Sequence, residues 1–545
     1  MSDARFTPPG PGSWIRDDVH FARPVSGYFA SVYPAAHIAG FSAGTEHYGL
    51  LLDYIDIAIV DHFLYSQPRL APMRADAGTE IPSRIKRSAE VLTNREWRKD
   101  LEWWTHVLKP QSLDRAQALQ EIDPQALVNR ELVDHLNACR DFFVLAVTNH
   151  HRLNPTYMLP LGDFLSHTTS WTDRDPAELL QLMQGASPAS SGVLAEREAL
   201  VSAVQSDQGA LDLLDSNRDA AEILDDLLAN NRAVGNAARA YINLIGYRIM
   251  SGYDVADLYT LESPKSLLQG IRTAINGDAA RNMVDLEARR TGIREAVPES
   301  KRDTFDELYH EARATYYLRD EKIFCGDAVA TGLTRRALKA AGRTLADKGQ
   351  LNEPGDVFDV THSELIQLLA GDEGPTAWEL AERTRQRTGA TASNAPPFLG
   401  DPPSPPPPPD GLPEPAARIE RAMGSVLGHM FVHTEGRDGK ALRGLSASPG
   451  IHDGIARVVS GPDDFHRVEQ GDVLVAQTTA PAYNVLLPML GAVVTARGGI
   501  LSHAALVARE FGLPAVVGCG DSMTEITDGV RVRVDGDKGV VWIDP

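Results

Sequence analysis

The sequence is poor in cysteine and contains no long apolar run. Its 545 residues include three cysteines, Cys139, Cys325 and Cys519, which lie far apart and form no CxxC pair. This spacing excludes a disulfide framework and a cysteine-based zinc site, and it favours a reducing compartment. No run approaches the roughly 18 apolar residues that a membrane helix needs, and the first residues lack the apolar core of a secretory signal. We therefore expect a soluble, cytoplasmic protein.

Positive charge is also scarce. Lys and Arg total 53 and Asp and Glu total 74, so the formal net charge is −21. Proteins that wrap nucleic acid or lie on an anionic membrane need a basic field, so this balance predicts no nucleic acid and no membrane as partner. With 43% apolar and 23% charged residues the composition is that of a globular protein. At roughly 150 residues per domain, the length predicts three or four domains.

The residue composition and the apolar pattern divide the chain into three stretches. Residues 20–390 place apolar side chains at three-and-four spacing, which predicts a mainly helical region with a few short strands. Residues 393–415 read SNAPPFLGDPPSPPPPPDGLPEP. Because proline fixes φ and lacks an N–H, we expect there a stiff polyproline II spacer of roughly 60 Å, without helix or strand. After Gly444, short β-branched runs alternate with turns around one helix, Ser502–Phe511, which predicts a small α/β module.

We therefore predict a multidomain chain, with a mainly helical domain over residues 1–392, the spacer, and an α/β domain over residues 416–545. Near the end of the helical domain, the segment DVFDVT is expected to be extended. Thr361 or Ser363 is expected to cap the helix that follows it.

Two adjacent histidines, His150 and His151, stand out in the helical region. On a helix, neighbouring side chains point about 100° apart, so this pair cannot hold one metal ion as an HExxH motif does. We expect each to have a core or surface role, and no metal site is predicted in the chain.

The most informative string is TARGGILSHAALVAREFGLPAVVG, residues 495–518. A strand runs into Gly498 and Gly499, where the missing side chains permit a tight turn and the close approach of another molecule. Ser502 stands at the N-cap of the next helix, so His503 lies in its first turn, near backbone N–H groups and the positive end of the helix dipole. That field would stabilise a phosphoryl group on the imidazole and would keep the ring neutral and nucleophilic.

This string closely resembles the phosphohistidine swivelling domain of phosphoenolpyruvate-utilising enzymes, a family that includes phosphoenolpyruvate synthase and rifampin phosphotransferase. The resemblance continues upstream through GLSASPGIHDGIARVV and GDVLVAQTTAPAYNVLLPMLGAVVT, and it covers residues 444–545. It implies that His503 is phosphorylated and then passes the phosphoryl group on.

Thr495, Gly498, Gly499 and Ser502 fall at the family's positions around this histidine and are predicted to bind phosphate, as is Arg497. Arg497 departs from the family pattern, and Ala496 replaces its acidic residue. Two interpretations of Arg497 stay open. An added cation helps to hold a phosphoryl group, or it marks a relative that is not phosphorylated.

Residues 313–365 resemble the substrate-binding region of rifampin phosphotransferase and related synthases, in which an Arg-Glu pair precedes a second helix. The pair here is Arg319 and Asp320. The resemblance implies that the Arg319 guanidinium anchors the phosphoryl group and that Asp320 acts as base towards an acceptor hydroxyl, although its side chain is one methylene shorter than Glu. Lys322 is a further phosphate-binding candidate. The alternative is an ordinary ion pair on a solvated helix.

Neither a P-loop motif nor a recognisable ATP-grasp module occurs in the sequence. The resemblance therefore implies that ATP and Mg²⁺ act through a separate ATP-grasp partner and that no cofactor binds this chain directly. The predicted function is a phosphotransferase component, in which His503 carries a phosphoryl group to the hydroxyl of a small organic acceptor bound in the helical domain. Two alternatives stay open: an enzyme of the same architecture repurposed for elimination or cyclisation, and a non-catalytic phosphocarrier subunit.

Overall fold

The structure is a computed structural model that describes residues 5–71, 80–187, 195–250, 252–275, 285–405, 408–430, 437–438, 441–480, 483–484 and 486–544. Residues 406 and 407 of the predicted spacer lie outside the described residues. The chain forms two compact units. The first comprises Met1–Tyr157, Gly252–Asp257 and Lys322–Arg421, and the second comprises Met158–Ser251, Leu258–Glu321 and Ala422–Pro545.

Helices make up most of the chain before residue 431. The α-helices are α1 (Gly27–Tyr48), α2 (Glu80–Asn94), α3 (Glu96–Trp103), α4 (Lys109–Gln120), α5 (Asn129–Arg152), α6 (Asn154–Thr172), α7 (Pro176–Leu180), α8 (Ala195–Gln205), α9 (Gln208–Leu214), α10 (Ala220–Ala229), α11 (Ala233–Ile245), α12 (Pro264–Ile275), α13 (Leu286–Ala296), α14 (Arg302–Tyr316), α15 (Leu318–Lys322), α16 (Ala328–Asp347), α17 (His362–Ala370), α18 (Ala377–Gly389), α19 (Glu414–Met430), α20 (His503–Phe511) and α21 (Ser522–Glu525). Two π-helical turns, Trp104–Leu108 and Ile323–Asp327, interrupt the helical region.

The strands fall into two sheets. They are β1 (Ser13–Arg16), β2 (Leu52–Val60), β3 (Phe63–Leu70), β4 (Phe398–Gly400), β5 (Arg437–Asp438), β6 (Ala441–Arg443), β7 (Leu445–Ser448), β8 (Ile451–Val459), β9 (Val473–Ala476), β10 (Ala492–Thr495), β11 (Ala515–Val517), β12 (Arg531–Asp535) and β13 (Val540–Ile543). Among the described residues, no helix is both long enough and apolar enough to cross a membrane.

The first unit combines an antiparallel sheet, in the order β2-β3-β1-β4, with the helices around α1, α5 and α16. Trp14 and Leu399 pair across β1 and β4 and are buried in one apolar cluster. The prediction that residues 393–415 form no strand is therefore wrong over Phe398–Gly400. The apolar Phe-Leu within the proline-rich stretch buries side chains against β1, and this gain outweighs the tendency of the flanking prolines to keep the chain unpaired.

A second difference concerns the segment DVFDVT. Instead of an extended piece, Pro354–Asp359 form a 3₁₀-helix. Proline is suited to the first helical position because it needs no N–H there, and Asp356 accepts a hydrogen bond from Glu353 N at 3.1 Å, which closes the first turn. The prediction for the next helix is confirmed, since Thr361 caps α17 by accepting from Glu364 N.

The second unit contains helices α7 to α14 and a nine-stranded sheet in the order β5-β6-β13-β12-β8-β9-β10-β11-β7. Strands β8, β9, β10 and β11 run parallel, and α20 packs against this part of the sheet. The β-branched runs identified in the sequence form these strands, because side chains such as Val473, Val494 and Val516 are buried in one core. The predicted fold class, a mainly helical N-terminal region followed by a C-terminal α/β module, is confirmed.

Candidate functional site

The turn between β10 and α20 presents His503 at a helix start. Gly498 has φ of 101°, which a side chain rarely permits. A Cβ atom at residue 499 would lie 2.0 Å from the His429 carbonyl oxygen, so only glycine fits there. Ser502 caps α20, and its hydroxyl accepts a hydrogen bond from Ala505 N at 3.4 Å. These features explain locally why His503 stands in the first turn of α20, as the sequence predicted.

His503 is held as a neutral imidazole. Its Nδ1 lies 3.0 Å from Thr479 Oγ1, and no other hydrogen-bond partner of the ring occurs among the described residues. Burial lowers the pKa of His503 to about 4; the negative charge of Asp320 acts to raise this pKa and the positive charge of Arg319 lowers it. The ring is therefore unprotonated at neutral pH, with Nε2 as the nitrogen that the contacts leave for a reaction.

Arg319 and Asp320 on α15 share the second unit with His503 and lie close enough to act on its charge. The two side chains are 12% and 13% exposed, and Arg319 Nε lies 4.0 Å from Asp320 Oδ1. Ser187 Oγ donates to Asp320 Oδ2 at 3.2 Å. The pair therefore differs from the solvated surface ion pair that was the alternative prediction, because both groups are largely withdrawn from water.

Arg509 and Glu510 of α20, which the sequence analysis did not single out, bond to the segment after α7. Gln184 Nε2 donates to Arg509 O at 2.6 Å, and Gly185 N donates to Glu510 Oε2 at 2.9 Å. The pKa of Glu510 is raised to about 7, chiefly by burial, with the charge of Asp320 acting in the same direction. The one signal in the sequence was the charged pair Arg509-Glu510 near the end of an otherwise apolar helix.

Arg509 fixes the backbone beneath the site. The residue is 4% exposed; its Nη1 donates to Ala447 O and its Nη2 to Ile500 O, both at 2.9 Å. Ile500 precedes the Ser502 cap by two residues, so this guanidinium ties the turn that carries His503 to β7. A buried guanidinium needs several acceptors, and carbonyl oxygens supply them here.

The remaining predicted site residues take different positions. Thr495 is fully buried and its hydroxyl donates to Arg497 O at 2.9 Å, so it shapes the turn. Arg497 N donates to Gln477 O at 2.9 Å, which joins this turn to the end of β9. Lys322 belongs to the first unit, where its ammonium donates to His150 O at 2.9 Å and to Asn154 Oδ1. It is 2% exposed, and these bonds argue against a phosphate-binding role.

Over the described residues, no group of three or more His, Cys, Asp or Glu side chains has an arrangement that would hold a metal ion. The proposed function therefore routes no step through a metal held by this chain.

Comparison with known proteins gives a family match in the α/β module. Residues 468–539 match the family described as PEP-utilising enzyme, mobile domain. Chondramide synthase of Chondromyces crocatus is 26% identical over 97% of this chain and 14% of its own length. Phosphoenolpyruvate synthase of Aeropyrum pernix is 45% identical over 18% of this chain and 12% of its own length.

A further relative extends into the helical region. Rifampicin phosphotransferase of a Streptomyces species is 28% identical over 56% of this chain and 34% of its own length. The chain thus spans about a third or less of each of these relatives.

Proposed function

We propose that the chain is a phosphotransferase component whose phosphoryl carrier is His503, on the premise that residues 468–539 match the mobile domain of PEP-utilising enzymes. The proposal is that His503 Nε2 takes a phosphoryl group and delivers it to the hydroxyl of a small organic acceptor. One observation carries it: a neutral imidazole, held through Nδ1 by Thr479, stands at a helix N-terminus beside Arg319 and Asp320.

In the charging step, the lone pair of Nε2 attacks the donor phosphorus, and the bond from phosphorus to the donor's leaving oxygen breaks with its electron pair. The depressed pKa of His503 favours this step, because the nucleophilic lone pair is available at neutral pH. The N-terminal end of α20 and the Arg319 guanidinium offset the negative charge that arrives with the phosphoryl group.

In the delivery step, the acceptor oxygen attacks phosphorus, the N–P bond breaks, and its electron pair returns to Nε2. The acceptor hydroxyl gives its proton to Asp320, whose carboxylate is oriented by Ser187. Arg319 stays within reach of the phosphoryl oxygens in both steps. Phosphoryl transfer depends mainly on positioning and charge neutralisation, and this pair of residues supplies both.

The donor in this proposal is a separate ATP-grasp protein that uses ATP and Mg²⁺, and a cytoplasmic location belongs to the same proposal. Cys139, Cys325 and Cys519 are buried and form no disulfide, which suits a reducing compartment.

A second candidate comes from chondramide synthase, which matches 97% of the chain and is named a synthase rather than a phosphotransferase. That candidate is the same architecture repurposed for a reaction without phosphoryl transfer, such as elimination or cyclisation. It predicts that turnover is insensitive to replacement of His503.

The test is to incubate the full chain with ³²P-labelled phosphoramidate, a small donor that phosphorylates reactive histidines. We expect one acid-labile, alkali-stable label per chain, located at His503 by mass spectrometry and absent from His503→Ala. The matched control is His466→Ala, an exposed histidine of the same module, which should label as the wild type does. Equal labelling of His503→Ala and wild type would refute the proposal.

The roles of the neighbouring pair are tested on the labelled protein. With [γ-³²P]ATP and a candidate ATP-grasp protein as donor, His503 of the Asp320→Asn variant should still be phosphorylated. Transfer of the phosphoryl group to acceptors should be at least about 10²-fold slower, which is the effect of losing a general base. Unchanged discharge would exclude Asp320 as the base while leaving His503 as carrier.

A further inference from the structure

The segment Gln184–Ser187, which follows the 3₁₀-helix Gln181–Met183, bonds to both halves of the proposed site. At one end, the Gln184 side chain and the Gly185 backbone bond to α20, the helix that begins at His503. At the other end, the Ser187 hydroxyl bonds to the Asp320 carboxylate. The proposed function gives Ser187 the role of orienting Asp320, but it leaves Gln184 and Gly185 without a role.

Two hydrogen bonds fix the segment on the last turns of α20. Gln184 Nε2 donates to Arg509 O at 2.6 Å, and Gly185 N donates to Glu510 Oε2 at 2.9 Å. Gln184 is 2% exposed and Glu510 is 4% exposed, so water is excluded from both bonds. Such bonds are electrostatically stronger than exposed ones, and losing one leaves a buried polar group unpaired. Because α20 is a single helix, fixing its last turns also fixes His503 at its start.

The same segment is bonded to the two helices that lead to the pair of Arg319 and Asp320. Arg313, in the last turn of α14, donates from Nη1 to Gln184 O at 3.1 Å. Ser187 Oγ donates to Asp320 Oδ2 at 3.2 Å, and Asp320 Oδ1 lies 4.0 Å from Arg319 Nε. The Asp320 carboxylate therefore directs one oxygen to the segment and the other to Arg319.

The charges of the site agree with this arrangement. The negative charge of Asp320 acts to raise the pKa of both His503 and Glu510, and the positive charge of Arg319 acts to lower the pKa of His503. Charges affect one another strongly only over short distances in a buried site. The pair on α15 therefore lies beside α20, on the side where the segment is bonded.

The turn within the segment depends on its glycine. Gly185 has φ of 74°, in the left-handed region that glycine adopts without strain. A Cβ atom at residue 185 would meet no atom within 4 Å. The backbone conformation, and not crowding, is therefore what favours glycine here. This turn presents the backbone N–H to Glu510 between two residues whose side chains bond to α20 and to Asp320.

We propose that the segment Gln184–Ser187 sets the distance from His503 to Arg319 and Asp320, with Gln184 as a positioning residue for phosphoryl transfer. This inference rests on the proposed function, because it concerns the same site. Phosphoryl transfer depends on positioning and charge neutralisation, and a misplacement of about 1 Å costs about 10²-fold in rate. Gln184 acts through α20, and it does not act on the reacting atoms themselves.

The test measures the rate at which ³²P-labelled phosphoramidate phosphorylates His503 of the full chain. In this reaction Nε2 attacks phosphorus and the P–N bond breaks as ammonia leaves, so neither a partner protein nor an acceptor is needed. Gln184→Met keeps the length of the side chain and removes the donor, and it should label at least about fivefold more slowly. The matched control is Gln208→Met, an exposed glutamine of the second unit that bonds to Asp212 and should label at the wild-type rate.

A double-mutant cycle separates positioning from a general loss of order. Arg319→Gln should slow labelling at least about tenfold, because the phosphoryl group loses its guanidinium. If Gln184 acts by placing Arg319, adding Gln184→Met to Arg319→Gln should cause no further slowing. Melting curves show whether each variant is folded. If Gln184→Met is unfolded, Gln184→Asn, which keeps the amide on a shorter side chain, takes its place in the cycle.

Three results would overturn the positioning role and leave His503 as the carrier. They are a wild-type labelling rate in the folded Gln184 variant, equal slowing by that variant with and without Arg319, and an unchanged rate in Arg319→Gln. A wild-type chain that takes no label at His503 would refute the proposed function, and the positioning role with it.

Discussion

The ionisation of Glu510 is the electrostatic feature whose effect on stability can be worked out most directly. The side chain is 4% exposed, and Gly185 N donates to its Oε2. Its pKa is raised from 4.5 to about 7, chiefly by burial; the charge of Asp320 acts in the same direction, and the Gly185 hydrogen bond, Arg509 and Arg313 oppose it. Below pH 7 the folded chain holds this group protonated, whereas the unfolded chain ionises it above pH 4.5. The free energy of unfolding should therefore fall as the pH rises from 4.5 to 7.

The magnitude follows from linkage between protonation and folding. For a group with pKa of about 7 when folded and 4.5 when unfolded, the stabilising contribution is about 2.5 kcal/mol larger at pH 5 than at pH 8. Glu510→Gln removes the titration but keeps a carbonyl oxygen for Gly185 N. The variant should therefore lack this part of the pH dependence and gain stability relative to wild type as the pH rises.

The assay is urea unfolding of the full chain, wild type and Glu510→Gln, at pH 5 and pH 8, followed by tryptophan fluorescence and circular dichroism. We expect the difference between the two proteins to change by about 2.5 kcal/mol between the two pH values. The control is Glu525→Gln, in the short helix α21, whose carboxylate is exposed; it should change much less. If the two curves of Glu510→Gln and wild type shift in parallel with pH, Glu510 ionises normally in the folded chain and the reasoning is wrong.

Two further predictions concern packing. Gly499→Ala forces a Cβ to within 2.0 Å of His429 O, so we expect the free energy of unfolding to fall by about 1–3 kcal/mol and phosphoramidate labelling of His503 to be lost. The control is Gly424→Ala, whose added Cβ meets no atom within 4 Å and which should have neither effect. Normal labelling of Gly499→Ala would contradict the prediction. Asp359, 2% exposed, accepts from Arg387 Nε at 2.8 Å and from Gly27 N at 3.2 Å. Asp359→Ala should cost about 1–3 kcal/mol in urea unfolding because both donors lose their acceptor, and a cost below about 0.5 kcal/mol would contradict this.

The α/β module was predictable because its signals are local. Each strand is a short β-branched run between turn residues, and α20 has a serine cap at its start and Gly512, with φ of 64°, at its end. The boundaries between helices in the long helical region before this module could not be predicted as well. Residues 211–245 belong to three helices, α9, α10 and α11, and the break before α10 is made by Asp219, whose side chain accepts from Ala221 N.

The candidate site was predictable only in part. His503 follows from its motif, and Arg319 and Asp320 follow from the resemblance of the helical region. Glu510 and its partner Gly185 are 325 positions apart, so no local pattern links them. The same holds for the hydrogen bond between His150 and Asp327, which are 177 positions apart. Asp327 is the last residue of the π-helical turn before α16.

The anchoring of β4 changes the meaning of the proline-rich stretch. Both of its ends belong to the first unit, since β4 pairs with β1 and Glu420 bonds to Leu51 N. The stretch therefore closes a loop within one unit. Proline at a compatible position stabilises the folded state by about 0.4–1 kcal/mol, because it lowers the conformational entropy of the unfolded chain. The prolines of this stretch therefore reduce the entropy that the chain loses when the loop closes. Replacing them with glycine should therefore make the first unit less stable, because the unfolded chain would regain that entropy.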